Sequence, residues 1–315
     1  MHPAYSVIFF TTASGAGYGL LIWLVLRDVL GSAAINTQTS GLGLVLALML
    51  ISAGLLSSMG HLGRPERAWR AFSQWRTSWL SREGVLAMAT FVPAGLLAAG
   101  WLLVGEPGRI WSLLGLLAAG LALATVWATG MIYQSLTPIR AWSQPSVAPI
   151  YVLLALATGG VLTLLVLRLT GEEPAGLDWI TAAMLLLALA LKRHYWASID
   201  GRERSLTPGD ATGLGRFGAV RVLEPPHTQA NFVMREMGYT IARKHALKLR
   251  ALVLWPGLAL ALFCIMLSLA LSPLAATLLT GVATVAVALG VVVERWLFFA
   301  EAQHVVSLYY GADKA

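Results

Sequence analysis

His61 and Glu83, twenty-two residues apart, are the side chains in this sequence best placed to trade protons with a bound molecule. Neutral imidazole presents one donor and one acceptor, and its ordinary pKa of about 6.5 lets it relay a proton near neutrality. A carboxylate nearby can pass a second proton. The combination suits a quinone, whose carbonyl oxygens accept hydrogen bonds and take up protons on reduction. Each residue also has a plainer reading. His61 can cap a helix end at a membrane interface. Glu83 can be an acid favoured by the dipole at a helix N-terminus, with Ser81 as its N-cap.

Five arginines run between them: Arg64, Arg67, Arg70, Arg76 and Arg82. Arg64 and Arg82 are candidates to pair with Glu83 or to touch the bound molecule. The set as a whole reads as a topological signal and as contacts to lipid or a partner. Further back, Phe9 to Gly19 concentrates small residues, with Ser14, Gly15, Gly17 and Gly19 close together. Small residues let helix backbones approach closely. Tight packing is the plain reading, and the sharper one places Ser14 and Tyr18 along a ligand slot.

The elements that hold these side chains follow from composition. The chain has 315 residues, 57% hydrophobic and 12% charged, where a soluble domain carries about 25% charged residues. A bilayer-crossing helix takes about 20 apolar residues. Eight runs qualify: 5–26, 41–60, 85–104, 110–133, 148–167, 177–196, 251–271 and 274–293. Each is expected to be helical, because lipid offers no partner to a bare amide. The fold class is therefore all-α integral membrane, a single bundle of eight transmembrane helices over 1–315. The first run lacks a basic flank and a cleavage site, so it reads as a retained helix and not a signal peptide.

Eight crossings place both termini on one side, together with the loops after the second, fourth and sixth spans. All 22 Lys and Arg residues fall on that side except Arg27, Arg109 and Arg168. The positive-inside bias makes it cytoplasmic, in a bacterial inner membrane. The net charge of +7 follows from this asymmetry and from the anionic lipid of that leaflet. The basic residues form no compact nucleic-acid motif. No span centre carries Asp, Glu, Lys, Arg or His on these boundaries, which argues against a pump, a proton-coupled carrier and two stacked haems. A transporter is the lower alternative, and would show broken helices and midplane polar groups. A single haem on His61 and His194 has nothing else to support it, so no haem and no metal are expected. Cys264 is alone and reads as a small buried hydrophobe. No phosphate loop, dinucleotide fingerprint or catalytic triad is present. Electrons, if this chain moves them, come from a partner.

The one long extramembrane stretch, 197–247, is too short to bury its own core. It carries turn signals at Pro208-Gly209-Asp210, Gly213-Leu214-Gly215 and Glu224-Pro225-Pro226. It is expected to dock a partner. Within it, 231–250 reads as a helix leading into the seventh span.

Several segments together carry a resemblance: His2 to Thr12, His61-Leu-Gly-Arg-Pro65, Arg76-Thr-Ser-Trp-Leu-Ser-Arg-Glu83, and Glu224 to Tyr239. With them the chain resembles the membrane anchor subunits of DMSO-reductase-type molybdoenzymes, the DmsC family. These are similar in role to the NrfD and PsrC quinone-interacting subunits. The resemblance implies a haem-free anchor that binds one quinone, ubiquinone or menaquinone, with nothing covalently attached. It implies docking to an iron–sulfur subunit with four-iron clusters, which connects to a molybdopterin catalytic subunit. The family's quinone-linked histidine and glutamate fall on His61 and Glu83. Exported DMSO reductases dock their soluble subunits outside the cytoplasm, whereas the charge pattern here puts the docking side inside. That looks more like the membrane subunit of a cytoplasmic sulfite-oxidising complex. An S- or N-oxide reductase anchor that oxidises menaquinol is the alternative.

Overall fold

The computed structural model describes residues 4–30, 36–104, 108–201, 206–224, 229, 241–310 and 312. Among them there are helices and turns and no β-strand. The long helices are α1 (Tyr5–Leu30), α2 (Thr37–Ser58), α3 (Trp79–Leu103), α4 (Arg109–Gln134), α5 (Val147–Leu169) and α6 (Leu177–Asp200). A short helix α7 (Pro208–Thr212) follows, then α8 (Ile241–Leu252), a π-helical turn Val253–Ala259, α9 (Leu260–Ser268) and α10 (Pro273–Ala300). Pro256 lies inside the π turn, where its missing N–H breaks the regular ladder.

Seven helices among the described residues are long and apolar enough to cross a membrane, one of them formed by α8, the π turn and α9 together. The sixth expected span, 177–196, is helical over 24 residues but is not among the seven. Its charges explain why. Lys192 is buried against Glu294 of α10, at 2.5 Å, and Asp178 is buried against Arg168 of α5, at 2.5 Å. Lys192 and Asp178 turn into the bundle, while Arg193 and His194 are exposed.

The ionisable groups that these helices bury lie towards their ends and not at their centres: Asp178 early and Lys192 late in α6, and Glu294 late in α10. Helix α10 runs to Ala300, seven residues past the expected boundary at 293, so Glu294 and Arg295 lie within it. Lys192, inside the expected sixth span, and Arg295, just past the expected eighth, are each only 2% exposed. Trp296, Leu297, Phe298 and Phe299 continue the apolar pattern beyond the charges and carry the helix on.

Contacts gather the ends of the helices. Ser57 of α2 donates to the Ser6 carbonyl of α1. Tyr195 of α6 donates to the Ala141 carbonyl between α4 and α5, and Trp142 there donates to the Phe298 carbonyl of α10. Arg250 of α8 pairs with Asp200 at the end of α6 and with Glu301 just past α10. Burial pushes the Glu301 carboxyl above its ordinary value, against the opposing pull of Arg250. At the opposite end Arg27 of α1 pairs with Glu172 between α5 and α6, and Ser112 of α4 donates to Asp28 of α1. The described chain thus starts and finishes at one end of the bundle.

The described part of the 197–247 stretch differs from a chain of turns. Pro208-Gly209-Asp210 opens α7, with Pro208 in the first turn and a reciprocal cap between Thr207 and Asp210. Gly213, at φ +69°, ends that helix. Most of the Glu224–Tyr239 segment, residues 225–228 and 230–239, lies outside the described residues, as does the first half of the 231–250 helix. From Ile241 the chain is helical.

Candidate functional site

Glu83 enters on the second turn of α3. The N-cap is Ser78, whose hydroxyl accepts from the Ser81 amide, so Ser81 is inside the helix and buried. The start is thus one turn earlier than the sequence suggests, and Glu83 is drawn inward. It is 5% exposed. Its partner is neither Arg82 nor Arg64 but Thr129 of α4, whose Oγ1 lies 2.5 Å from Glu83 Oε1. Among the described residues Glu83 has no ion pair.

Two other expected residues stand beside this pair. Ser14 and Tyr18 of α1 line a narrow cavity with Thr129 of α4, Tyr151 of α5 and Arg295 of α10. Ser14 donates to the Phe10 carbonyl one turn back. The hydroxyls of Tyr18 and Tyr151 are buried, the first beside Thr125 and the second beside Arg295, and Glu83 is part of the electrostatic surroundings of both. Glycine explains how α1 and α5 come this close. A Cβ on Gly19 would overlap the Ala155 carbonyl, and one on Gly159 would overlap the Gly19 backbone. One turn before Gly19 along α1 lies Ser14 with Gly15, and one turn before Ala155 along α5 lies Tyr151.

Arg295 closes the far wall. Its guanidinium stacks 3.5 Å over the Tyr151 ring, a cation–π contact in a dry setting. Its Nε is 3.3 Å from Glu294 Oε2, while Glu294 Oε1 meets Lys192 Nζ. Lys192 in turn lies 4.1 Å from the Tyr195 ring centre. Tyr133, Trp142, Tyr151, Phe298 and Phe299 pack edge-to-face and stacked around this end. Gly257 of the π turn meets Gly290 of α10 backbone to backbone, which brings the π turn against α10 one turn before Glu294.

The remaining expected residues are elsewhere. His61 ends a short 3₁₀ turn, Met59–His61, after α2 and is exposed. Arg64 caps the 3₁₀ helix Pro65–Gln74 and is exposed. Arg82 donates to the Trp75 and Arg76 carbonyls and lies 4.3 Å from the Trp79 ring centre. Arg82 therefore braces the strip before α3. No hydrogen bond or ion pair among the described residues joins His61 to Glu83. His194 is exposed on α6, and Cys264 is a buried free thiol on α9.

Sequence reading missed Thr129, Tyr151, Lys192, Glu294 and Arg295. Thr129 and Tyr151 look like ordinary residues of apolar spans. Glu294 and Arg295 carried a usable signal, since the aromatic run after them shows that the helix does not end there.

The fold and the site together define a helical membrane protein with a buried polar cluster at the end of the bundle where its described chain starts and finishes. Comparison with known families is decisive on the class. Residues 1–311 match the model of the DMSO reductase anchor subunit (DmsC) family, and the chain belongs to that family. It is 32% identical to a sulfite dehydrogenase subunit from Allochromatium vinosum, over 98% of this chain and 99% of that protein. The chain is thus a membrane anchor subunit of DMSO-reductase type, a component of a multi-subunit complex.

Proposed function

We propose that this subunit binds quinone and passes electrons between an iron–sulfur partner and the membrane quinone pool, in a complex that oxidises sulfite. The observation that carries the reading is Glu83: a buried carboxyl with no cationic partner among the described residues, hydrogen-bonded by Thr129, near the loop-rich end of the bundle. Reduction of quinone to quinol takes two electrons and two protons. Glu83 would hold one proton, and His61, exposed at the neighbouring helix end, would hydrogen-bond a carbonyl oxygen and deliver the other. Ser14 and Tyr18 line the inner wall, and Arg64 and Arg82 form the outer rim. The sulfite assignment rests on the likeness to the sulfite dehydrogenase protein of Allochromatium vinosum. Run in the opposite direction, the same site suits an S- or N-oxide reductase anchor that oxidises menaquinol.

The basic end would face the cytoplasm, with both termini there, in a bacterial inner membrane. Helix α6 would be the eighth crossing: 24 residues span about 36 Å at 1.5 Å each, enough for a hydrocarbon core of about 30 Å. The 197–247 stretch would dock the iron–sulfur subunit, which connects to the molybdopterin subunit. Eleven basic residues against five acidic ones lie between Lys192 and Arg250, and Leu214, Phe217 and Leu223 are exposed there.

The test uses the assembled complex. His61→Ala and Glu83→Gln should each abolish quinone-coupled sulfite oxidation, while dye-linked oxidation and co-purification of the soluble subunits persist. Normal quinone turnover and inhibitor binding in both variants places the site elsewhere.

A further inference from the structure

Arg67, Arg70 and Arg76 take no part in the quinone site. They stand in residues 62–78, which join two helices long and apolar enough to cross a membrane. The 3₁₀ helix Pro65–Gln74 forms the middle of that strip. Three residues make one turn of such a helix, so every third side chain falls on one line. One line reads Trp69, Phe72 and Trp75, the last at the helical C-cap. The next reads Arg67, Arg70 and Ser73, and Arg76 follows just past the end. Aromatic and cationic lines thus run side by side. Trp69 is 65% exposed and Trp75 53%, and the three arginines are exposed. Among the described residues Arg70 and Arg76 have no carboxylate partner, and Arg67 meets only Glu66, at 3.9 Å with both side chains open to solvent. The guanidinium carbons of Arg70 and Arg76 each lie 5.6 Å from the ring centre of the tryptophan before them.

Phe72 sets the depth of the strip. Its ring packs against Gly84 of α3, where an added Cβ would lie 3.1 Å from it. Gly84 is the second-turn neighbour of Glu83, five residues on from Trp79 at the start of α3, and so about 7.5 Å along the axis. The aromatic line therefore lies beside the first turns of a spanning helix and not above them. Interfacial helices bury their apolar face about 5–10 Å into the boundary between headgroups and acyl chains, and tryptophan collects at that depth. Residues 62–78 carry four arginines and one glutamate, a charge complementary to an anionic leaflet.

We propose that this strip binds anionic phospholipid: Trp69, Phe72 and Trp75 lie among the upper acyl chains, and Arg67, Arg70 and Arg76 hold headgroup phosphates of the same leaflet. A guanidinium fork matches two phosphate oxygens at once, so the lipid supplies the counter-charge that no described carboxylate supplies to Arg70 and Arg76. A soluble subunit is the rival occupant. It would rest on groups that point away from the bilayer, whereas Phe72 holds the aromatic line against α3. None of these residues belongs to the quinone site, so the lipid site stands or falls apart from it.

Two experiments on the assembled complex test this. In the first, photoreactive benzoylphenylalanine replaces Trp69 or Trp75, and the complex is illuminated in its own membrane. The adducts should carry the mass of a phospholipid, and adducts to a soluble subunit overturn the proposal. In the second, the complex is placed in lipid discs of equal phosphatidylglycerol and phosphatidylcholine, and the lipids it retains are counted by native mass spectrometry. One arginine near an anionic surface contributes about fivefold to the preference for anionic lipid. Arg67→Gln, Arg70→Gln and Arg76→Gln together should therefore cut the preference for phosphatidylglycerol on the order of a hundredfold. Lysine at the same three positions keeps the charge that sets membrane orientation, and should keep most of the preference. Soluble subunits should co-purify with both triple variants. An equal preference in the wild type and the glutamine variant overturns the proposal, as does loss of the soluble subunits with lipid retention unchanged.

Discussion

Thr129 of α4 holds Glu83 of α3 at 2.5 Å, and the same hydroxyl lies 3.0 Å from the Thr125 carbonyl one turn back. A hydroxyl has one hydrogen and donates to one acceptor at a time. With Glu83 ionised, Thr129 donates to the carboxylate. With Glu83 protonated, the acid donates to Thr129, which turns its hydrogen to the Thr125 carbonyl. Both states keep the bond between Thr129 and Glu83 Oε1, so a proton can come and go without breaking that contact.

Thr129→Ser should therefore retain activity, because the hydroxyl survives. Thr129→Val keeps the shape and loses both bonds. It should destabilise the subunit by about 1–3 kcal/mol, the cost of a buried polar group left unmade, and depress quinone-coupled turnover. Thermal melts and steady-state kinetics on the two variants check this, and equal behaviour of Ser and Val removes the hydroxyl from the account.

The Lys192–Glu294–Arg295 cluster gives a sharper stability test. Glu294→Ala leaves two buried cations facing each other with no counter-charge. Breaking a buried pair in this way typically costs about 3–5 kcal/mol. The expected outcome is loss of folded subunit, read as yield in detergent by size-exclusion chromatography. Wild-type yield would show that the two cations reach solvent.

Gly19 and Gly15 should respond differently to the same change. A Cβ at Gly19 meets backbone of α5, whereas one at Gly15 finds its nearest atom, the Ala155 Cβ, at 3.9 Å. Gly19→Ala should force α1 and α5 apart and cost about 1–3 kcal/mol. Gly15→Ala should be neutral within experimental error. Melting temperatures in matched detergent measure both.

Membrane orientation is open to direct measurement. Reporter fusions after Leu30 and within 206–224 should report opposite compartments, with the second in the cytoplasm. A periplasmic 206–224 segment would also undo the sulfite reading, because the soluble subunits would then dock outside.

The spans were legible because lipid leaves a chain so few options: an apolar run of sufficient length must be a helix. Their limits were harder. A boundary at 293 treats Glu294-Arg295 as a stop, as such charges usually are. The partner that makes them tolerable, Lys192, lies on a different helix about a hundred positions away, and no local pattern reports it. Glu83 was legible as a candidate from its place at a helix start, but its bond to Thr129 crosses from α3 to α4. Tyr18 and Ser14 drew attention through their glycine neighbours. Tyr151 had no such marker, because one tyrosine in an apolar helix is ordinary.

The charges buried along α6 bear on how the protein is made. Lys192 finds its counter-ion on α10, and Arg168, the partner of Asp178, also bonds Thr280 there. While α6 leaves the ribosome, α10 does not yet exist. A lone lysine in a bilayer costs up to about 2.5–3.5 kcal/mol, the figure for a helix centre, so Lys192 leaves α6 a poor passenger until the last helix arrives. Nascent chains truncated before Pro273 should hold α6 loosely, open to alkali extraction or to modification of a cysteine placed along it, and full-length chains should not. Assembly of this subunit would then be completed from its last helix backward.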